Sequence, residues 1–172
     1  DIEYVNLNYL ELNEENRYDL AMMVFADFGV LKPHEREVLI RNVHRALKPG
    51  GIFIFDVLSD KNIEIKVAAK TWEIEESGFW KDRPYMVLSD SFLYPDEKVI
   101  LYQHIVMDES DDFDVYRFWT HFFAPGDLKP MLEPEGFEDI ECFDDVLPEI
   151  DMWNGENVLF CRAKKVVGEM DA

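Results

Sequence analysis

The sequence predicts an α/β fold that carries an inserted antiparallel β-meander. Two apolar runs without polar alternation, at residues 19–25 and 52–57, are typical of parallel strands that are covered on both faces. A helical pattern lies between these two runs. After residue 60 the chain changes to aromatic-rich segments of strand length, which turn-forming sequences separate.

The helix between the two apolar runs is predicted to begin at Pro33, because the fixed φ of proline suits the first helical position. Glu35 and Glu37 complement the positive end of the helix dipole. Glycine tolerates a left-handed C-cap, so the sequence KPGG at residues 48–51 should end the helix. Strand, helix and strand then form a right-handed βαβ unit. The stripe that faces the sheet would contain Arg36, Leu39, Ile40, Val43 and Leu47.

The later part of the chain has the pattern of an antiparallel sheet. A short helix over residues 61–70 would precede strands at 72–76, 85–94, 99–107 and 115–123. Symmetric turns would place Tyr102 opposite Ser91 and His121, and His104 opposite Ser89 and Trp119, on one mixed face. A register slip of one residue would exchange the two faces. The other face, predicted to be buried, would carry Leu88, Phe92, Leu101, Ile105, Tyr116, Phe118 and Phe122.

Composition and charge exclude several classes of function. A formal net charge of −20 over 172 residues repels phosphate backbones and anionic headgroups, so we expect neither nucleic acid nor a membrane as partner. Two cysteines are too few for a disulfide framework, which favours a cytoplasmic protein. The four histidines show no metal-ligand spacing, and no G-x-G or G-x-S-x-G sequence occurs. The sequence therefore predicts no metal site and identifies no catalytic residue.

Four segments carry a resemblance to a known family. YDLAMMVFADFGVL at residues 18–31, followed by ALKPGGIFIFDV at 46–57, resembles the fourth strand, the next helix and the fifth strand of class I S-adenosylmethionine-dependent methyltransferases. LKPMLEPEGF at 128–137 resembles their late helix and glycine-phenylalanine step, and VLFCRAKK at 158–165 their final strand. The resemblance implies a partial Rossmann-like methyltransferase sheet, strands 3 to 7, with the meander inserted.

The chain departs from this family at the cofactor loop. The family binds its cofactor with a glycine-rich loop after the first strand and an acidic residue after the second, and this sequence contains neither. We therefore expect the C-terminal part of a longer enzyme, inactive in isolation, with residues 2–7 as the family's third strand. Residues 1–60 and 124–165 would form the partial core, 61–123 an inserted lobe or lid, and 166–172 a tail.

The resemblance implies S-adenosylmethionine as the cofactor. Asn8 and Tyr9 follow the predicted third strand, where the family holds the adenine. The Asn8 amide can donate and accept hydrogen bonds, although an ordinary turn asparagine is an equal reading.

Further cofactor candidates follow the fourth strand. Phe25, Asp27 and Phe28 lie at the carboxyl edge, where open α/β sheets bind their ligands. Asp27 could instead cap a local turn. Asp56 ends the next strand at the same edge.

The meander supplies the candidates for the acceptor side, which are Trp80, Tyr102, Trp119 and His121. Histidine titrates near neutral pH, so His121 with Tyr102 could orient or deprotonate a small-molecule methyl acceptor. The alternative is that these residues are core groups. Two function classes therefore remain: the C-terminal portion of a small-molecule methyltransferase, or a non-catalytic acidic α/β module for dimerisation or small-ligand binding.

The strand order of the resembled fold also predicts an assembly. In the order 3-2-1-4-5-7-6, a chain without strands 1 and 2 leaves residues 19–25 as an apolar sheet edge. Unpaired backbone groups on such an edge attract another strand. We therefore expect a homodimer formed through this edge.

Overall fold

The computed structural model describes residues 2–67, 69–110, 112–144, 146 and 156–167. The chain divides into two compact units, Asp1–Ser59 with Phe123–Ala172, and Asp60–Phe122. Of the predicted tail, residues 168–172 lie outside the described part. In chain order, the helices and strands are β1 (Tyr18–Met23), α1 (Asp27–Val30), α2 (Pro33–Ala46), β2 (Leu47–Ser59), α3 (Ile63–Lys66), β3 (Thr71–Glu75), β4 (Tyr85–Tyr94), β5 (Val99–Asp108), β6 (Phe113–Phe123), α4 (Pro125–Leu132), β7 (Phe137–Phe143) and β8 (Val158–Lys165).

The sheet of the first unit has the order β1-β2-β8-β7. β1 and β2 are parallel, whereas β8 is antiparallel to both β2 and β7. This is the 4-5-7-6 end of the predicted strand order, and the predicted fold class is confirmed. The predicted strand at residues 2–7 is wrong, because this segment is exposed and forms no strand. A strand needs a neighbour for its N–H and C=O groups, and in the predicted order the third strand pairs with the second, which this sequence does not supply.

The βαβ unit forms as the sequence predicts. Pro33 is the first residue of α2, and Glu35 Oε2 accepts a hydrogen bond from the Lys32 N–H at 2.8 Å. The predicted stripe is buried from Arg36 to Val43. Residues 48–51 do not separate helix from strand, because β2 already begins at Leu47. Tyr18 pairs with Leu47, and Leu20, two residues later, pairs with Ile52, five residues later. Residues 48–51 therefore form a bulge within β2, and Gly50 in this bulge has a φ of +77°.

Aromatic rings form the centre of the core between α2 and the sheet. The Phe28 ring lies 4.5 Å from that of Phe55, and Phe55 stacks on Phe53 at 4.8 Å. All three side chains are fully or almost fully buried. Leucines from α4 complete this core. It holds the carboxyl ends of β1 and β2 in place.

The second unit is an antiparallel meander in the order β3-β4-β5-β6, as predicted. The predicted register is right between β4 and β5, where Ser91 pairs with Tyr102 and Ser89 with His104. It is wrong between β5 and β6, where Tyr102 pairs with Phe118 instead of His121. β6 begins at Phe113, so the turn after β5 is tighter than the sequence suggested. β6 is thus shifted by three residues relative to the predicted pairing. Because side chains alternate between the two faces of a sheet, a shift by an odd number of residues moves each side chain of β6 to the opposite face.

The two faces of the meander differ in what covers them. The face that we call the Trp80 face has the Trp80 ring over it, 4.8 Å from Tyr116 and 5.1 Å from His104. On the other face, which we call the Trp72 face, Leu88 and Phe92 are exposed. The prediction that this face is buried is therefore wrong, because the loop that carries Trp80 packs on the opposite side. By strand pairing the Trp72 face carries Trp72, Ile74, Met86, Leu88, Asp90, Phe92, Leu101, Gln103, Ile105, Met107, Phe113, Val115, Arg117, Trp119 and His121.

An enclosed ion cluster at the end of β5 gives the second unit a testable pH dependence. Lys81 Nζ and Arg83 Nη2 donate to Asp108 Oδ2 at 2.6 and 2.7 Å, and the Asp108 side chain is fully enclosed. The bond from Lys81, then those from Ser110, hold the pKa of the Asp108 carboxyl well below its ordinary 3.8. A lowered pKa adds stability above the ordinary value, and this stability is lost as the pH falls through the folded value.

We expect Asp108→Asn to lower the melting temperature near pH 7. The difference from the parent chain should shrink steadily as the pH falls below about 4, where the unfolded-state carboxyl takes up its proton. Thermal melts across this range measure it. Asp96→Asn, in an exposed turn, controls for the general relief of charge repulsion. A difference that does not change with pH would contradict the ionic role of Asp108.

Candidate functional site

The chain reverses sharply where β1 ends. Phe25 and Ala26 have φ values of +80° and +57°, a left-handed region that residues with a Cβ rarely adopt. Strained backbone of this kind concentrates at functional sites. The Ala26 N–H donates to Asp56 Oδ2 at 3.1 Å, so a side chain at the carboxyl end of β2 holds the reversal. The reversal places Asp27 as the first residue of α1.

Asp56 is a buried carboxylate at this edge. Burial raises the pKa of Asp56, and backbone N–H groups, that of Ala26 first, act in the opposite direction. The Oδ1 atom is buried and has no hydrogen-bond partner among the described residues. In the sequence, the feature that points to Asp56 as the residue that holds the turn is a single acidic side chain near the end of an otherwise apolar strand. Asp56 therefore acts on the site through the turn that it binds.

A cavity of about 320 Å³ lies beside β1. This volume is near the lower end of the range for small-ligand sites. The polar groups in its wall are the Tyr9 hydroxyl and the Asp27 carboxylate. Partial burial raises the pKa of Tyr9, and the adjacent Asp27, which also accepts a hydrogen bond from the hydroxyl, raises it further. The remaining wall is apolar and consists of Leu12, Ala21, Met22, Met23, Val24, Leu39, Val43 and Phe53.

The helix α2 positions the turn that carries Tyr9. Asn42 Nδ2 donates to the Leu10 carbonyl at 2.8 Å, and Arg45 Nη2 donates to the Leu12 carbonyl at 2.6 Å. Neither residue stands out as functional in the sequence. The feature of the sequence that could have indicated them is that both are polar residues on the inward face of the predicted helix. Together they fix one wall of the cavity.

The other predicted cofactor residues lie elsewhere. Asn8 Oδ1 accepts a hydrogen bond from the Leu10 N–H at 3.0 Å and so caps its own turn. This contact is the one expected of an ordinary turn asparagine. Phe25 projects into solvent, with 73% of its surface exposed. Phe28 has none exposed and packs against Phe55 and Phe123. Of the predicted five, the structure brings Tyr9 and Asp27 together at the cavity.

The predicted acceptor residues are divided between the two faces of the meander. Trp80 and Tyr102 belong to the Trp80 face, and Trp119 and His121 to the Trp72 face. The reason is the shifted β5–β6 register. The Tyr102 hydroxyl donates to the Lys66 carbonyl at 3.5 Å, and burial raises the pKa of Tyr102. The Trp119 ring lies 5.7 Å from Tyr94.

Two kinds of feature are absent from the part of the chain that the structure describes. No group of three or more histidine, cysteine, aspartate or glutamate side chains there is arranged to hold a metal ion. In the same residues, no helix has the length and apolar character that a membrane crossing requires.

Comparison with known proteins shows the fold. The sequence matches no known family profile and no curated protein sequence. Among solved structures, an S-adenosylmethionine-dependent methyltransferase from Clostridium acetobutylicum matches 94% of this chain and 64% of its own, with a TM-score of 0.67 and 11% identity. The chain has the methyltransferase fold. The CcbJ methyltransferase from Streptomyces caelestis also matches, over 94% of this chain and 63% of its own, with a TM-score of 0.64 and 20% identity.

A third similar methyltransferase structure comes from Micromonospora echinaspora. This protein, CalS10, is an amino pentose methyltransferase with S-adenosylmethionine bound, and it matches at a TM-score of 0.59 and 12% identity. The match covers 92% of this chain and 63% of CalS10. The chain thus spans less than two thirds of the length of these methyltransferases.

Proposed function

We propose that the chain is the C-terminal portion of an S-adenosylmethionine-dependent methyltransferase that acts on a small molecule. One observation carries this proposal. In a fold shared with such enzymes, an apolar cavity with two polar groups, Tyr9 and Asp27, lies beside β1 and the strained turn at its carboxyl end. Ligands of open α/β sheets bind at this edge.

The residues of the cavity fit part of the cofactor. The apolar wall and the Tyr9 ring suit an aromatic base, and the Asp27 carboxylate can accept hydrogen bonds from an amine. The described residues provide no glycine-rich loop to hold the remainder of the molecule. When bound, S-adenosylmethionine would supply an electrophilic methyl group on its sulfonium sulfur. Its positive charge is matched by the acidic side chain of Asp27.

The chain contributes positioning. Methyl transfer to a good nucleophile depends mainly on proximity and alignment. Asp56 fixes the turn at Phe25 and Ala26, and α2 fixes the turn at Tyr9, so both walls of the cavity are set before a ligand binds. We assign no catalytic residue. Asn8, Phe25 and Phe28 have weaker support as cofactor contacts than Tyr9 and Asp27.

The acceptor side is proposed in the meander. Trp80 and Tyr102 share a face, which supports them as a pair, whereas Trp119 and His121 would need a separate site. The alternative function, a non-catalytic acidic module for dimerisation or small-ligand binding, has the exposed apolar Trp72 face in its favour. The two functions differ in whether the protein binds the cofactor.

A binding experiment tests the proposed function. The longest natural form of the protein that contains this chain should bind S-adenosylmethionine in calorimetry, and Asp27→Asn should weaken binding about tenfold or more, as loss of a charged hydrogen bond does. The isolated chain should bind weakly or not at all at micromolar cofactor. Glu37→Gln, exposed on α2, is the matched control and should leave affinity unchanged. Absence of binding by the longest form would reject the methyltransferase and support the module.

Two further proposals concern assembly and location. We propose a homodimer through the free edge of β1, since within the described residues this strand pairs with β2 alone and Leu20 and Met22 are exposed. We also propose a cytoplasmic location, which the free thiols of Cys142 and Cys161 support.

A further inference from the structure

The Trp72 face of the meander presents two apolar rows, and the polar row Asp90, Gln103 and Arg117 lies between them. Strand pairing aligns Trp72 with Leu88, and Leu88 with Ile105, in one row. A second row runs from Phe92 through Leu101 to Trp119, in which Phe92 and Trp119 are exposed and Leu101 between them is buried. Exposure remains high at both margins, with 67% for Trp72 and Ile74 and 47% for Trp119. Large apolar side chains that are exposed together on one face in this way mark interaction sites in folded proteins.

The size of this face suits a second protein chain. β4 and β5 have ten residues each, and β6 has eleven. At about 3.4 Å per residue and about 4.8 Å between strands, the four strands cover roughly 600 Å² in projection. The relief of the side chains adds to this area, and a stable interface needs about 800 Å² per partner. The face is therefore large enough for a dimer but larger than a small ligand requires.

Charge on the Trp72 face favours a second copy of the same chain. The whole chain has a formal net charge of −20, so two copies repel each other through most of their surfaces. On this face the Asp90 carboxylate is paired with Lys70 Nζ at 3.0 Å. Arg117 Nε donates to Gln103 Oε1 at 2.9 Å. The strand residues of this face thus lack the acidic excess of the chain, and the acidic side chains Glu109 and Asp112 lie only beyond the end of β5. A basic partner would find its complement elsewhere on the surface.

Hollows in the same face provide places for protruding side chains. One hollow, of about 530 Å³, lies at the end of the face, where Ile74, Met86 and Met107 line it together with Asp108, Glu109 and Asp112. Another, of about 280 Å³, is lined by Trp72, Leu88 and Ile105. The side chains that protrude most lie at the rims of these hollows. A surface that carries both protrusions and hollows can be complementary to itself, as a two-fold symmetric interface requires.

We propose that the Trp72 face is a homodimer interface, in which two meanders stack face to face around a two-fold axis. Two sheets packed in this way form a sandwich whose inner side chains interdigitate. This interface uses residues other than those of the β1 edge. A chain that used both surfaces would form tetramers or longer assemblies.

The oligomeric state of the 172-residue chain tests this proposal. Sedimentation equilibrium from about 1 to 100 µM, a range that covers ordinary dimer affinities, should give twice the mass of the chain, or a larger multiple if the β1 edge also associates. The double variant Trp72→Ser with Ile74→Thr should raise the dissociation constant at least about tenfold, because exposed aromatic anchors dominate interface energies. Both residues are too exposed for their replacement to remove core contacts. Circular dichroism confirms that the variant is folded.

Two further variants make the result specific. The matched control is Phe79→Ser with Ile65→Thr, which removes an aromatic and an aliphatic residue of 87% and 81% exposure outside the Trp72 face, and it should leave the dimer intact. Leu20→Lys tests the β1 edge. A monomeric parent chain, or a dimer that Leu20→Lys dissociates and the Trp72 double variant does not, would overturn the proposal. If the Trp72 double variant unfolds, Phe92→Ser replaces it and is judged by the same outcomes.

Discussion

Phe28→Ala is expected to lower the free energy of unfolding by about 3–5 kcal/mol, the usual effect of removing a fully buried aromatic ring. The ring has no exposed surface and lies between Phe55 and Phe123, at 4.5 and 5.9 Å. The guanidinium of Arg36 lies 6.0 Å from the Phe28 centroid, and its Nε atom is buried without a hydrogen-bond partner among the described residues. Loss of the ring would also remove the cation–π interaction between Phe28 and the buried guanidinium of Arg36.

Urea unfolding followed by circular dichroism measures the effect of Phe28→Ala. The matched control is Phe25→Ala, three positions earlier, whose ring is mostly exposed and whose loss should cost less than about 0.5 kcal/mol. The pair also decides how these residues relate to the cofactor. A Phe28→Ala protein with unchanged stability and reduced cofactor affinity would show that the ring contacts the ligand, as the sequence suggested, and would contradict its place in the core.

Gly136→Ala is expected to cost about 1–3 kcal/mol through backbone strain alone. Gly136 has a φ of +90° and ends the 3₁₀ turn before β7. A Cβ at this position would lie 2.8 Å from His44 Nε2, and the His44 ring packs edge-on against Phe137 at 5.2 Å. Strain and steric conflict therefore act together at this residue.

The control for Gly136→Ala is Gly126→Ala in α4, where an added Cβ meets nothing within 4 Å. That substitution should be neutral or should stabilise by up to about 1 kcal/mol, because alanine restricts the unfolded chain. Thermal and urea unfolding of both variants give the comparison. Adding His44→Ala to Gly136→Ala should recover the steric part of the loss. Equal melting temperatures for the two glycine variants would refute the strained turn.

The parts of the fold that the sequence predicts are those that local patterns determine. Pro33 and the buried stripe of α2 define the βαβ unit, and the turn at residues 95–98 defines the β4–β5 register. The β5–β6 register was not predictable, because the acidic segment between these strands could close at more than one length. Which meander face is covered depends on where the loop with Trp80 packs, and that contact is not local.

The candidate site shows the same division. Asp27 follows from its position after the strand predicted at residues 19–25, whereas Tyr9 was selected after a strand at residues 2–7 that does not form. Phe28 stays a predicted ligand contact, although its ring lies in the core. An aromatic residue after a strand looks the same in sequence whether its ring enters the core or a cavity. The hydrogen bonds by which Asn42 and Arg45 hold the turn with Tyr9 join residues that are more than thirty positions apart in the sequence. No periodicity in the chain encodes such a contact.

The bond between Ala26 and Asp56 has a consequence for the order in which the protein becomes structured. Its two residues are 30 positions apart, and they meet only after β1 and β2 have docked side by side. Before docking, nothing offsets the cost of two consecutive left-handed residues, and the segment around Phe25 would relax to ordinary backbone angles. We therefore expect the turn at Phe25 and Ala26 to be completed late in folding and to be among the first parts lost in a local opening, while the aromatic core behind it persists.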